Sequence, residues 1–237
     1  MSKSQIKTIN TINLVLTKSK ASDAPDFIRL VSQYEVSRFM FCSEAPETKI
    51  QKLAKSKFAT KVLAPLMLKH DSIGGSFWII KKNTLEEQGN NHMIGFVGLT
   101  SLHKKVKKLV RTIDRNNYKQ YMNIGVSLEP GEWGKGYAKE SLCALMSAVF
   151  ASKKYKHVKG LTITVNSDHT RCLATLMNGE STKQPLVYQG ELALPKGFSK
   201  LVPTPCTVKN FTITKSDFLQ WAQANTDEKQ KTEAIQS

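Results

Sequence analysis

The stretch LEPGEWGKGYAKESL, Leu128 to Leu142, constrains the fold more than any other part of the chain. Ahead of it, YMNIGVSLEP (Tyr121–Pro130) reads as a β-strand closed by its proline, whose missing N–H cannot continue a ladder. After it, Leu142, Leu145, Met146, Val149 and Phe150 recur at helical spacing and define one apolar stripe. Strand and helix are therefore joined by a short turn with bare backbone at Gly131, Gly134 and Gly136 and positive charge at Lys135 and Lys139. The first N–H groups of such a helix have no intrahelical partner, and the helix dipole adds about half a positive charge there.

Two nucleotide loops are excluded by spacing. A Walker A loop ends Gly-Lys-Ser/Thr, but Gly134-Lys135 is followed by Gly136, and the position five before Gly134 is Glu129. A dinucleotide fingerprint needs a third glycine three residues after Gly136, and that position is Lys139. Two readings remain: a cradle for an anion such as a diphosphate, or a turn that binds nothing.

The rest of the chain reads as alternating short elements. TINLVLT (Thr11–Thr17) is strand-like behind a polar, loose start over Met1–Asn10. SDAPDFIRLVSQY supplies Ser22 or Asp23 as a helix cap, Pro25 in the first turn, and Phe27, Ile28, Val31 and Tyr34 on one face. A second helix is expected after Pro46, interrupted near Pro65. GSFWIIKK (Gly75–Lys82) and HMIGFVGLTSL (His92–Leu102) form an antiparallel pair, and residues 103–119 are a basic loop. HVKGLTITVN (His157–Asn166) is a strand. A short helix follows, capped by Ser167 or Asp168 and stopped at Asn178-Gly179. PLVYQGELAL and CTVKNFTIT close the sheet, and KSDFLQWAQA is a last helix. No repeat or linker divides the chain, so residues 11–224 are expected to form one α+β domain, followed by a polar tail over 225–237.

Composition narrows the partners. Lys and Arg number 35 against 19 acids, a net charge of +16 with pI near 9.7, which favours anionic partners without naming one. No apolar run approaches the roughly 18 residues of a membrane span, and MSKSQIKTIN has no signal-peptide core. The expectation is a cytoplasmic protein, with possible access to the nucleus and no membrane partner. Four cysteines without a C-x-x-C pair indicate neither a zinc site nor a disulfide framework, and Cys143 and Cys172 are expected as buried helix thiols.

On these elements the sequence resembles the GNAT superfamily of acyl-CoA-dependent N-acyltransferases, nearest to the branch that acetylates ribosomal-protein N-termini. The branch pattern P-x-x-W-G-x-G-Y-A-x-E is matched at Pro130, Trp133, Gly134, Gly136, Tyr137, Ala138 and Glu140, while Gly131 replaces the usual Gln or Arg. The later pattern, Asn then S-x-R-x-L-x-x-L-G-F, is matched at Asn166, Arg171, Leu173 and Leu176 but carries His169, Met177 and Asn178 at its serine, glycine and aromatic positions. INLVLTKSKASDAPDFIRL and MIGFVGL also resemble that branch.

The resemblance implies a mostly antiparallel twisted sheet with splayed central strands and flanking helices, and acetyl-CoA as cosubstrate. The coenzyme's arm would pair with the backbone of Val126, Ser127 and Leu128. Its diphosphate would lie on the amides of Trp133, Gly134, Lys135, Gly136, Tyr137 and Ala138, and Asn166 would bind near the thioester. An amine, on a protein N-terminus or a small molecule, would attack that thioester directly. Asn123 stands where this branch often has a glutamate, so the base falls to His169 or Glu129, both equally readable as structural or surface groups; Glu132 is the less placed rival. Tyr188 is the candidate acid for the leaving thiolate. No metal is expected, the oligomeric expectation is monomer or homodimer, and ribosome association is a further possibility. The alternative is a basic ribosome- or RNA-associated binding protein on the same fold with degraded catalysis.

Overall fold

The computed structural model describes residues 6–40, 76–83, 92–101, 120–177, 186–194 and 205–224. Eight strands form one sheet in the order β1-β2-β3-β4-β5-β6-β8-β7. They are β1 Thr8–Asn10, β2 Leu14–Lys18, β3 Ser76–Lys82, β4 Gly95–Ser101, β5 Tyr121–Leu128, β6 Gly160–Asn166, β7 Val187–Leu194 and β8 Cys206–Thr214. Every neighbouring pair is antiparallel except β5 with β6, which is parallel. The helices are α1 Ala24–Val31, α2 Tyr34–Met40, α3 Tyr137–Ala151, α4 Thr170–Met177 and α5 over 215–224.

Alternation along the central strands gives each sheet face its own core. Trp78, Ile80, Val97, Leu99 and Ile124 face the α3 stripe of Leu142, Leu145, Met146, Val149 and Phe150. Ile79 and Phe96 face the other way, onto Phe27, Leu30 and Val31 of α1 and Val36 of α2. Leu145 and Val149 are fully buried, each contributing about 1.5–3 kcal/mol of apolar burial. Both core strands of the antiparallel pair are thus apolar on two faces, which is why FWII and FVGL run without polar alternation.

Several local expectations change. The stretch Met1–Asn10 is not wholly loose, because Thr8–Asn10 pairs with Val15–Thr17 as an edge strand. The strand expected over Thr11–Thr17 begins at Leu14, and Thr11 to Asn13 make the connecting turn. The helix expected over 22–34 is two helices broken at Ser32-Gln33, and α1 buries Leu30 where Ile28 had been expected. Asp23 does not cap α1; its carboxylate accepts from the Lys20 N–H at 2.8 Å. Ahead of α4 the side chain that accepts is Asn166, from the Asp168 N–H at 2.9 Å, and neither expected cap takes that role. Cys143 and Cys172 lie on helices against the core, and burial pushes both thiols up to about 11. The helix after Pro46, the basic loop 103–119, the Asn178-Gly179 stop and the tail 225–237 lie outside the described residues. No helix among the described residues is long and apolar enough to cross a membrane.

Candidate active site: a splayed strand pair and an uncapped helix

β5 and β6 pair over three rungs only, Tyr121 with Gly160, Met122 with Leu161 and Asn123 with Thr162. At the closed end a side chain at Gly160 would strike the Tyr121 ring at 2.4 Å, so glycine is what lets the two strands meet. The last rung is fastened by the Thr162 hydroxyl, which donates to Asn123 Oδ1 at 3.2 Å. Beyond it the strands part, although β4 stays paired with β5 through Leu128 and β8 with β6 through Asn166. The residues Ile124–Leu128 therefore line a gap with one backbone edge unpaired.

Strand alternation decides which groups face the gap. The Glu129 N–H donates to Ile94 O at 2.9 Å, so Glu129 and, by alternation, Ser127 and Gly125 point to β4. Ile124, Val126 and Leu128 point into the gap. Ser127, expected to present its backbone there, is instead on the β4 side. The Leu128 carbonyl is taken by the Trp133 indole, which donates to it at 2.8 Å. Trp133 also packs against both cores, so it fixes the turn to the end of β5.

The turn itself is built for bare backbone. Gly134 and Gly136 lie at φ +83° and +82°, the left-handed region, and a Cβ at either would meet nothing within 4 Å. Their need for glycine is conformational, and the space beside them is open. Gly136 is the N-cap of α3, and no side chain caps it. The N–H groups of Tyr137 and Ala138 thus begin the helix without a side-chain acceptor. Lys135, expected to add charge, is held at 2.9 Å by Glu132, which also receives Lys82 at 3.0 Å. Burial raises the Glu132 pKa, but the hydrogen bonds from Lys135 and Lys82 outweigh it and hold the carboxyl below its ordinary value.

Glu140 has a role the motif alone does not state. It accepts from Thr11 Oγ1 at 2.5 Å, the Asn13 N–H at 2.8 Å and Asn13 Nδ2 at 3.0 Å. The carboxylate in the first turn of α3 therefore staples the helix to the β1–β2 turn. Those hydrogen bonds overcome a burial effect of opposite sign and lower its pKa.

The expected catalytic groups fall in three places. Glu129 follows β5, is ion-paired with Arg29 of α1 and shares a hydrogen bond with His92 Nε2 at 3.2 Å. His169 precedes α4 and stacks on Phe39 of α2, with centroids 3.8 Å apart and planes at 12°. Burial first, then the Arg38 and Arg171 charges, push its pKa down to about 4. Asn166 ends β6, its Oδ1 engaged by the Asp168 N–H and its Nδ2 uncommitted among the described residues. Tyr188 does not join them. It is 45% exposed on β7, packed on Phe211 of β8, so a whole strand separates it from β6.

A family model for the acetyltransferase (GNAT) domain matches residues 13–177. The chain belongs to the GNAT acetyltransferase family. Its structure is similar to that of a GNAT-family acetyltransferase from Bacillus anthracis, with a TM-score of 0.54, 14% identity, and coverage of 88% of this chain and 99% of that one. It is also similar to the spermidine N-acetyltransferase of Vibrio cholerae in complex with coenzyme A and spermine (TM-score 0.52, 14% identity, 87% and 98% covered). A third similar structure is the ribosomal-protein alpha-N-acetyltransferase RimL in complex with coenzyme A (TM-score 0.52, 13% identity, 88% and 98% covered). No curated protein sequence matches the chain. The mixed eight-stranded sheet with flanking helices is the GNAT fold.

In this GNAT protein the residues present fit an acyl-CoA. An open glycine turn leads into an uncapped helix, as a diphosphate requires, and a free strand edge lies beside it, as an amide-bearing arm requires. Ser167 Oγ, next to Asn166, is buried without a hydrogen-bond partner. Sequence reasoning missed Arg29, His92, Arg38 and Phe39. Nothing in the local pattern marks them, because each acts on a residue far along the chain.

Proposed function

We propose that the protein is an N-acetyltransferase that moves the acetyl group of acetyl-CoA to a primary amine by direct attack on the thioester. The observation that carries this reading is the gap between β5 and β6, opening beside an uncapped helix with two left-handed glycines. When bound, acetyl-CoA supplies the acyl group activated as a thioester. The backbone of Trp133 to Ala138 holds the diphosphate, with Lys139 adding charge beside it. Val126 offers its N–H and C=O to the arm as a neighbouring strand would. Asn166 Nδ2 would donate at the end of β6, on the open side of the gap.

The amine must be neutral to attack, and the candidate bases differ from ordinary ones. His169 is neutral at physiological pH, and a pKa near 4 makes it a weak proton acceptor. Glu129 has one oxygen engaged by Arg29 and the other by His92 Nε2, so neither is free to receive a proton from the amine without giving up a partner. The burial that chiefly depresses His169, together with the Arg38 and Arg171 charges, acts in the same direction on an ammonium bound beside it and favours the free amine. Deprotonation thus needs only water as the proton's destination, with His169 as a neutral hydrogen-bonding partner. The likeness to the branch acting on ribosomal-protein N-termini makes a protein N-terminus the first acceptor to try. Nothing among the described residues favours a basic binding protein with degraded catalysis.

The test is thermal melting with and without acetyl-CoA, followed by thiol release with a panel of amines and peptides. A melting temperature unmoved by saturating acetyl-CoA would refute the assignment.

A further inference from the structure

α2 and the start of α4 meet at the ends of the splayed strands through the Phe39–His169 stack. The Arg38 guanidinium lies over two rings of α2, 4.4 Å from the Phe39 centroid and 5.5 Å from that of Tyr34. Arg171 lies 5.3 Å over Trp133, whose ring is 6.5 Å from His169. A guanidinium held by its face keeps its N–H edge available for a planar anion. Among the described residues Arg38 forms no ion pair, not even with Glu35 one turn before it. The carboxylates nearest in the chain to the turn are already occupied, Glu129 by Arg29 and His92, and Glu132 by Lys82 and Lys135. An anionic oxygen entering here meets the Arg38 fork, pre-stacked on Phe39 and Tyr34 and in no ion pair with a described carboxylate.

We infer that the acceptor amine belongs to a molecule carrying an anionic oxygen group, carboxylate or phosphate, within a few atoms of the amine, and that Arg38 anchors that group. The inference rests on the acetyltransferase reading above and names its substrate class. It separates this protein from polyamine acetylation, in which the acceptor carries further positive charge. The net charge of +16 acts in the same sense, drawing acidic acceptors toward the molecule.

Thiol release is measured with peptides that share one N-terminal residue and carry aspartate, phosphoserine, asparagine or lysine second, and with spermidine. The aspartate or phosphoserine peptide is expected to exceed the asparagine peptide in kcat/KM by about tenfold, chiefly through KM, with lysine and spermidine lowest. The order of aspartate and phosphoserine identifies the preferred anion. In Arg38→Gln the ratio of anionic to neutral acceptor falls toward one, and in Arg38→Glu lysine overtakes aspartate. Equal rates, no turnover of the anionic acceptors, or a uniform loss across all acceptors in Arg38→Gln overturns the inference. So does loss of the acetyl-CoA melting shift in Arg38→Gln, which would assign Arg38 to the coenzyme's phosphates. An intact wild-type shift without anion preference overturns this inference alone. An absent wild-type shift overturns the acetyltransferase reading and this inference together.

Discussion

Substitution at Gly136 separates the two things the turn does, holding a left-handed backbone and leaving room for an anion. At φ +82° with no atom within 4 Å of an added Cβ, Gly136→Ala meets no clash, and its cost is the left-handed conformation alone. That cost is about 1–2 kcal/mol, which lowers the melting temperature of a chain this size by roughly 2–8 °C. Gly136→Glu bears the same backbone cost but puts a negative charge at the start of α3. Wild-type protein at about 100 times the dissociation constant of acetyl-CoA gains about 2.7 kcal/mol, an upward shift of roughly 5–10 °C. Calorimetry of the three proteins, with and without acetyl-CoA, should therefore show two nearly equal apo destabilisations. Gly136→Glu alone should lose the whole ligand shift. Two results would refute the reasoning: an alanine variant destabilised by more than about 3 kcal/mol, which implies a clash, or a glutamate variant that keeps the full shift.

Other expectations follow from single contacts. Glu140→Gln weakens three hydrogen bonds across the staple and should cost about 1 kcal/mol at neutral pH. Because the folded pKa of Glu140 is depressed, that contribution is present above the unfolded value and is lost as pH falls below it, so wild type and variant should converge in acid melts. His169 should titrate near 4 by NMR, and its share of stability should fall as pH drops from about 6.5 toward 4, where the unfolded chain binds the extra proton. A titration near 6.5 would remove the argument for a neutral imidazole. Tyr188→Phe should change kcat by no more than a few fold, since the ring packs on Phe211 across β8; a loss of 100-fold would restore the hydroxyl as an acid.

Local pattern was enough for much of the frame. The α3 stripe, the antiparallel pairing of β3 with β4, and the strand–glycine–helix order are written in residues a few positions apart, where apolar period and turn chemistry act directly. β1 was hidden because a three-residue edge strand has too short a period to show, and it exists only because β2 offers it a partner. With the break at Ser32-Gln33, α1 and α2 both pack on Ile79 and Phe96, a tertiary arrangement that no periodicity within 22–34 could announce.

The chemistry of the site divides in the same way. Sequence determined which residues could hold an anion, since left-handed glycines and an uncapped helix are properties of the turn itself. Tertiary structure decided where β5 and β6 part, which strand edge is free, and what charge each candidate carries. Arg29 pairs with Glu129 across 100 residues, and Arg38 reaches His169 across most of the chain. Coulomb and desolvation effects depend on distance and burial in space, so a carboxylate and an imidazole that the sequence offered only as candidate bases became, once folded, an occupied ion pair and a neutral stacked ring.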